Sequence, residues 1–77
     1  MSLSKFFFSS MSPSGSTAYP LGKDCRDIAE AKEHARRIAA DLVAAQLLTG
    51  ETPVGWVEIS DKQGRSLFML PLSSVAP

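Results

Sequence analysis

Residues 27–50 read DIAEAKEHARRIAADLVAAQLLTG, and this stretch decides the fold because it has the pattern of one long amphipathic helix. Asp27 and Glu30 predict a capping box, in which Asp27 accepts from free backbone amides and Glu30 reaches back to the amide of Asp27. Gly50 predicts the end of the helix, and Pro53 prevents it from resuming. About 21 helical residues at ~1.5 Å each give a rod of roughly 30 Å, long enough to cross several strands.

One face of this helix is apolar and rich in alanine. Its three-four spacing defines a stripe of Ile28, Ala31, Ala35, Ile38, Leu42 and Ala45, which Ala39 and Val43 widen on one side. Small side chains let a β-sheet approach closely, so the stripe predicts that the helix packs on a sheet.

The first strand is predicted at Lys5 to Ser10, because three consecutive phenylalanines have a high β propensity. Strand alternation places Phe6 and Phe8 on one face and Phe7 on the other. Large aromatic side chains on both faces indicate that both faces are covered, or that one of them meets a partner.

The segment between this strand and the helix is less regular. Residues 9–17 are rich in Ser, Gly and Pro and predict a turn or a mobile loop, with Ser14-Gly15 as the turn point. Residues 17–21 predict a short second strand that pairs back on the first, and Pro20 confines it to an edge of the sheet.

A β-hairpin is predicted after the helix. Residues 56–60 alternate and predict a strand, residues 61–64 predict a type I turn with Gly64 in a bulge, and residues 65–70 return. A three-residue loop would place Val57, Ile59, Leu67 and Met69 toward the helix. The other face would then carry Trp56, Glu58, Phe68 and Leu70.

These elements predict a small α+β domain in β-β-α-β-β order, with an antiparallel sheet packed on one long helix. Residues 1–77 are expected to form one domain, with tails at residues 1–4 and 72–77. Within the second tail, Leu72 and Val75 are expected to pack back on the domain.

One helix can cover only one side of a sheet, so the sequence predicts an unfinished apolar surface. We expect Phe7, Trp56, Phe68 and Leu70 to form an exposed interface. A domain this small buries only about 60% of its unfolded surface, which favours stabilisation as a homodimer. The alternative is that the tail and the N-terminal arm cover these rings within one chain.

Other partners follow from the same residues. The principal expectation is a self-associating protein-interaction module, with an unidentified protein as a further candidate partner. A second interpretation is a small nucleic-acid or ligand-binding module, in which exposed rings stack on bases beside Lys62 and Arg65. A further interface candidate is the helix end, where Leu47 and Leu48 point away from the stripe.

Composition limits the remaining possibilities. Eight acidic and eight basic residues give no net charge, which does not favour a nucleic-acid partner. No apolar run approaches the length of about 18 residues that a membrane span needs. Residues 6–8 are too short for the apolar region of a signal peptide, and one cysteine fits a reducing compartment, so we expect a cytoplasmic protein.

Two side chains are candidates for catalysis. Cys25 precedes the helix, where the dipole lowers a thiol pKa, but Asp24 and Asp27 flank it and act in the opposite direction. His34 lies at the border of the apolar stripe and is either a general base or a boundary histidine. Neither has a partner at a catalytic spacing, so we expect no catalytic, cofactor-binding or metal-binding residues and a non-enzymatic protein.

Five features follow one another along almost the whole chain. They are an aromatic strand at residues 6–8, a glycine at Gly22, a helix start at Asp27-Ile28-Ala29-Glu30-Ala31, a hairpin of the Val-Asp-x-x-Gly-Arg type at residues 59–65, and Pro71-Leu72-Ser73. This series resembles a family of very short bacterial proteins, mainly alphaproteobacterial, known only as a domain of unknown function. The resemblance implies the fold but no activity. Where the family usually has His and acidic residues, this chain has Ser9 and a Ser-rich loop, so no metal or acidic site is implied there.

Overall fold

The computed structural model describes residues 2–13 and 15–75 as one helix packed on a four-stranded antiparallel sheet. The elements are β1 (Ser4–Ser12), β2 (Gly15–Cys25), α1 (Ile28–Leu48), β3 (Trp56–Ser60), β4 (Ser66–Pro71) and a final 3-10 turn (Leu72–Ser74). The predicted α+β class and the β-β-α-β-β order are confirmed. The strand order is β2-β1-β3-β4, so β2 lies at an edge, as Pro20 predicts.

The helix begins where the capping residues predict, with one change of partner. The Glu30 amide donates to Asp27 Oδ1 at 2.9 Å, which confirms Asp27 as the N-cap. The Glu30 carboxylate does not reach the Asp27 amide. It accepts instead from the Arg26 amide at 3.2 Å and from Arg26 Nε at 2.9 Å, because the arginine offers it a charged donor.

The side of the helix that faces the sheet is rotated from the predicted stripe. Its buried residues are Ala31, Ala35, Ala39 and Val43. Ile28 and Ala45 are exposed, and the prediction that they face the sheet is wrong. The reason is steric: the narrow row of small residues lets the sheet approach the helix closely, above all at β3 and β4, while Ile38 and Leu42 pack at the sides of the contact.

The first hairpin is longer than predicted. Ser9 pairs with Ala18 and Ser10 pairs with Thr17, so the loop predicted at residues 9–17 is largely strand. Serine and threonine supply ladder hydrogen bonds through their backbones as other residues do, and their small side chains fit both the buried position of Ser10 and the exposed position of Thr17. The predicted turn residue Ser14 lies outside the described residues, as do residues 1, 76 and 77 of the predicted tails.

The second hairpin has the predicted turn but a different register. Asp61 donates its amide to the Arg65 carbonyl, and Ser60 pairs with Ser66, as a three-residue loop requires. A β-bulge then adds Leu67, so that Ile59 pairs with Phe68. One extra residue moves the rest of a strand to the opposite face. The predicted faces of β4 are therefore wrong.

The segments around the sheet close the core. Leu72 is fully buried and Val75 packs against the core, as expected for the start of the C-terminal segment. The Leu72 amide donates to the Gly55 carbonyl at 2.9 Å. Gly55 has a φ of +125°, and a Cβ atom there would collide with the Met11 carbonyl oxygen. Only glycine lets the connection to β3 pass this close to β1.

Candidate interaction surface

The sheet has two faces that differ in their cover. The helix-facing side holds the buried core residues Phe6, Phe8, Val57, Ile59 and Leu70. The other side has no helix against it, and we call it the open face. Phe7 and Trp56 lie on it half-buried, while Met11 is 41% and Met69 is 48% exposed. We call these four side chains the open-face cluster.

Strand pairing arranges the open face in rows. Met11 of β1 pairs with Trp56 of β3, and Trp56 pairs with Pro71 of β4. Side chains that are directly opposite in an antiparallel pair lie about 4.5–5.5 Å apart at Cβ, so this row is a continuous apolar strip. The indole of Trp56 is therefore flanked on both sides within its own chain, while the outer surface of the strip stays uncovered.

The next row carries the charge of this surface. Glu58 is half-buried and pairs with Ser9 on one side and Met69 on the other. Lys5 and Asp24 pair with each other near the start of β1. Between these two charged rows, Phe7 pairs with Ser60. The open face is thus apolar at its Met11–Trp56 end, carries the Glu58 carboxylate near its centre, and ends beyond Phe7 at the charged residues Lys5 and Asp24.

The structure divides the four residues predicted for the interface. Phe7 and Trp56 belong to the open-face cluster. Phe68 and Leu70 lie on the helix-facing side, where Leu70 is only 7% exposed. The Phe68 ring packs against the core, and Lys32 Nζ lies 4.3 Å from its centroid, in a cation–π contact.

Met11 and Met69 occupy the open-face positions that the sequence interpretation missed. Met11 continues the alternation that begins at Phe7, so extending β1 by two residues would have identified it. Met69 had no such signal. Residues 67–70 are all apolar, and either register would bury an equally apolar pair, so the pattern could not reveal the bulge.

The two candidate catalytic side chains lie on the helix-facing side, away from the open-face cluster. Burial raises the pKa of the Cys25 thiol, with Glu30 adding to the shift, so the thiolate is disfavoured. Burial lowers the pKa of His34, helped by Lys23 and Arg37. The His34 ring packs edge-on against Phe8, with centroids 4.8 Å apart. Both side chains therefore act as packing residues at the border of the core.

Among residues 2–13 and 15–75, no three His, Cys, Asp or Glu side chains gather where they could hold a metal ion. Within these ranges, no helix combines the length and apolar character needed to cross a membrane.

The comparisons with known proteins give a family and no activity. A family model whose description reads Domain of unknown function (DUF6894) matches residues 5–73. This range contains the helix and all four strands, except for Ser4 at the start of β1. No curated protein and no solved structure matches the chain.

Proposed function

We propose that this chain, which belongs to the DUF6894 family, is a small non-enzymatic interaction module that forms a homodimer through the open face of its sheet. The observation that carries the proposal is the open-face cluster, because four large apolar side chains lie on the side that the helix does not cover. A cytoplasmic location is part of the proposal, since a lone reduced thiol such as Cys25 is stable there.

The size of this face indicates the strength of the dimer. Four strands about 4.8 Å apart, crossed over roughly 20 Å of their length, give a face on the order of 400 Å² per copy. Stable interfaces bury about 800 Å² per partner, so contact through this face alone corresponds to the weak class. We therefore expect a dimer that dissociates on dilution.

The sheet order favours a second copy as the occupant of the face. β1 and β3 are the two inner strands, so a two-fold axis between them and parallel to them stacks β1 of one copy on β3 of the other. Each side chain of β1 or β3 then faces, in the second copy, the same residue that it pairs with across the strands of its own chain. Trp56 faces the flexible Met11, and Phe7 faces the small Ser60. Bulky side chains thus meet adaptable or small ones.

The same arrangement gives the Glu58 carboxylate a hydrogen-bond donor in the second copy. Glu58 of one copy faces Ser9 of the second, whose hydroxyl can donate a hydrogen bond to it. An axis perpendicular to the strands through this row would instead place the two Glu58 side chains directly opposite each other. Like charges facing each other destabilise a contact, so the charge pattern selects the parallel axis.

The test is sedimentation equilibrium of the wild-type chain and two single variants between about 10 and 500 µM, the range in which weak dimers form. Met69→Glu places a charge on the open face, and Leu48→Glu places the same charge on the helix end, where Leu48 is 89% exposed. We expect a concentration-dependent dimer for wild type and Leu48→Glu, and a monomer for Met69→Glu. Circular dichroism of all three checks that they remain folded.

Two results would contradict the proposal. A wild-type chain that stays monomeric throughout the range removes self-association. A dimer that persists unchanged in folded Met69→Glu removes the open face as its site and leaves the exposed edge of β2, whose strand has a partner on one side only.

A further inference from the structure

A pocket lies at one end of the sheet, separate from the open-face cluster. It has a volume of about 470 Å³, within the range of roughly 300–1,000 Å³ that is typical of small-molecule sites. The start of β1, the end of β2 and the β3–β4 turn form its walls. Lys5, Lys62 and Arg65 contribute three cations to these walls, against the two carboxylates of Asp24 and Asp61.

One of these carboxylates is already engaged within the turn. Asp61 Oδ1 accepts from the amides of Gln63 and Arg65, and Asp61 Oδ2 accepts from Arg65 Nε, each at 2.9 Å. The Arg65 amide and side chain and the Gln63 amide together lower the pKa of Asp61. Three hydrogen bonds fix the turn, and the ion pair with Arg65 offsets the charge of this carboxylate, which leaves Lys5 and Lys62 against Asp24 in the pocket walls.

The cations of the pocket keep free donors. The Arg65 side chain is held only through Nε by the residues that the structure describes, so the four N–H donors on its outer nitrogens have no acceptor among those residues. Its side chain is 76% exposed. Within the described part of the chain, neither Lys5 nor Lys62 has a carboxylate within 4.0 Å. The ammonium groups of Lys5 and Lys62 and the outer nitrogens of Arg65 are therefore available to bind an anion.

We propose that this pocket binds a small organic anion that has one carboxylate or phosphate group and an apolar portion. Lys62 and the outer edge of Arg65 bind the oxyanion, since a fixed guanidinium matches its planar geometry. Leu3 and Phe6 are the apolar residues of the walls, and Leu3, which is 57% exposed, provides the accessible apolar surface. The remaining free carboxylate, Asp24, selects against ligands that carry more than one carboxylate or phosphate group.

The probes are benzoate and phenyl phosphate, with benzamide as the uncharged match and inorganic pyrophosphate as the polyanion without a ring. Each is titrated to millimolar concentration into the ¹⁵N-labelled chain at low salt while amide shifts are followed. We expect saturable shifts at Lys5, Gln63 and Arg65 with the two ringed anions, and at least fivefold weaker binding of benzamide and pyrophosphate.

A matched pair of variants separates a site from general charge attraction. Lys62→Gln removes a pocket cation, and Arg36→Gln removes an exposed helix cation outside it. We expect Lys62→Gln to weaken benzoate binding several-fold and Arg36→Gln to leave it unchanged. The proposal is overturned if the shifts do not saturate, if both variants weaken binding equally, or if benzamide binds as well as benzoate.

Discussion

The helix-facing side of the sheet and the open face are built from the same strands, yet the helix buries the first and leaves the second uncovered. Phe6 and Phe8 project one way from β1 and are buried, while Phe7 projects the other way and is only half-buried. β3 repeats the pattern, with Val57 and Ile59 buried and Trp56 half-buried. Apolar alternation alone therefore does not identify the core. The alanine row of α1 identifies it, because only that surface is shaped to approach a sheet.

The largest difference in stability is expected when one apolar residue is truncated on each side of the sheet. Ile59→Ala should destabilise the chain by about 2–5 kcal/mol, because Ile59 is fully buried and its removal leaves a cavity. Met69→Ala, at 48% exposure, should change stability by about 0.5 kcal/mol or less. Urea unfolding at low micromolar concentration, below dimer formation, measures both. Equal losses would show that the open face is packed within the monomer.

The second test introduces a larger side chain into the alanine row of α1. Ala39→Leu should cost about 1–3 kcal/mol, because Ala39 is fully buried against the sheet and a larger side chain forces the layers apart. Its neighbour Ala40 is exposed, and Ala40→Leu should be close to neutral. Thermal unfolding followed by circular dichroism compares the two. A stable Ala39→Leu variant would mean that the contact between α1 and the sheet is loose.

A smaller effect is expected where the covering helix begins. Asp27→Ala removes the acceptor for the Glu30 amide and should cost about 1 kcal/mol. The control is Asp41→Ala, an exposed position in the body of α1, which should be neutral or slightly stabilising because alanine is the better helix former. Urea midpoints of the two variants should differ in this direction. Identical midpoints would argue against the cap.

The smallest expected effect is the pH dependence of stability that arises from His34, at the border of the helix-facing core. The pKa of His34 lies below its usual value of 6.5, so the unfolded chain takes up this proton first and stability falls as pH drops below 6.5. The pKa values of Glu30 and Asp61 are also lowered, but from 4.5 and 3.8, so their losses come at lower pH. His34→Gln should flatten the urea midpoint between pH 7 and 5. An unchanged slope would assign it to other groups.

The sequence predicted the features that depend on local chemistry. The Asp27 cap, the alternation of the three phenylalanines and the edge position of β2 each follow from neighbouring residues, and each is confirmed. The fold class follows from their order.

The features that were missed depend on contacts between distant segments. The bulge at Leu67 is set by how β4 fits against β3 and the helix, and four consecutive apolar residues permit either register. The extended first hairpin forms because residues 9–11 of β1 find partners in β3 as well as β2, a gain that no local composition shows. Of the four residues predicted for the uncovered face, Phe68 and Leu70 were therefore assigned to the wrong side of the sheet.

The place of β1 inside the sheet has a consequence for how the chain folds as it is synthesised. Phe7 pairs with Ser60, roughly fifty positions later, whereas each hairpin pairs residues that are close in sequence. Both hairpins can form as soon as they leave the ribosome, but the seam between β1 and β3 closes only when nearly the whole chain has emerged. Until then, the inner edge of β1 is an unpaired strand edge available to other nascent chains.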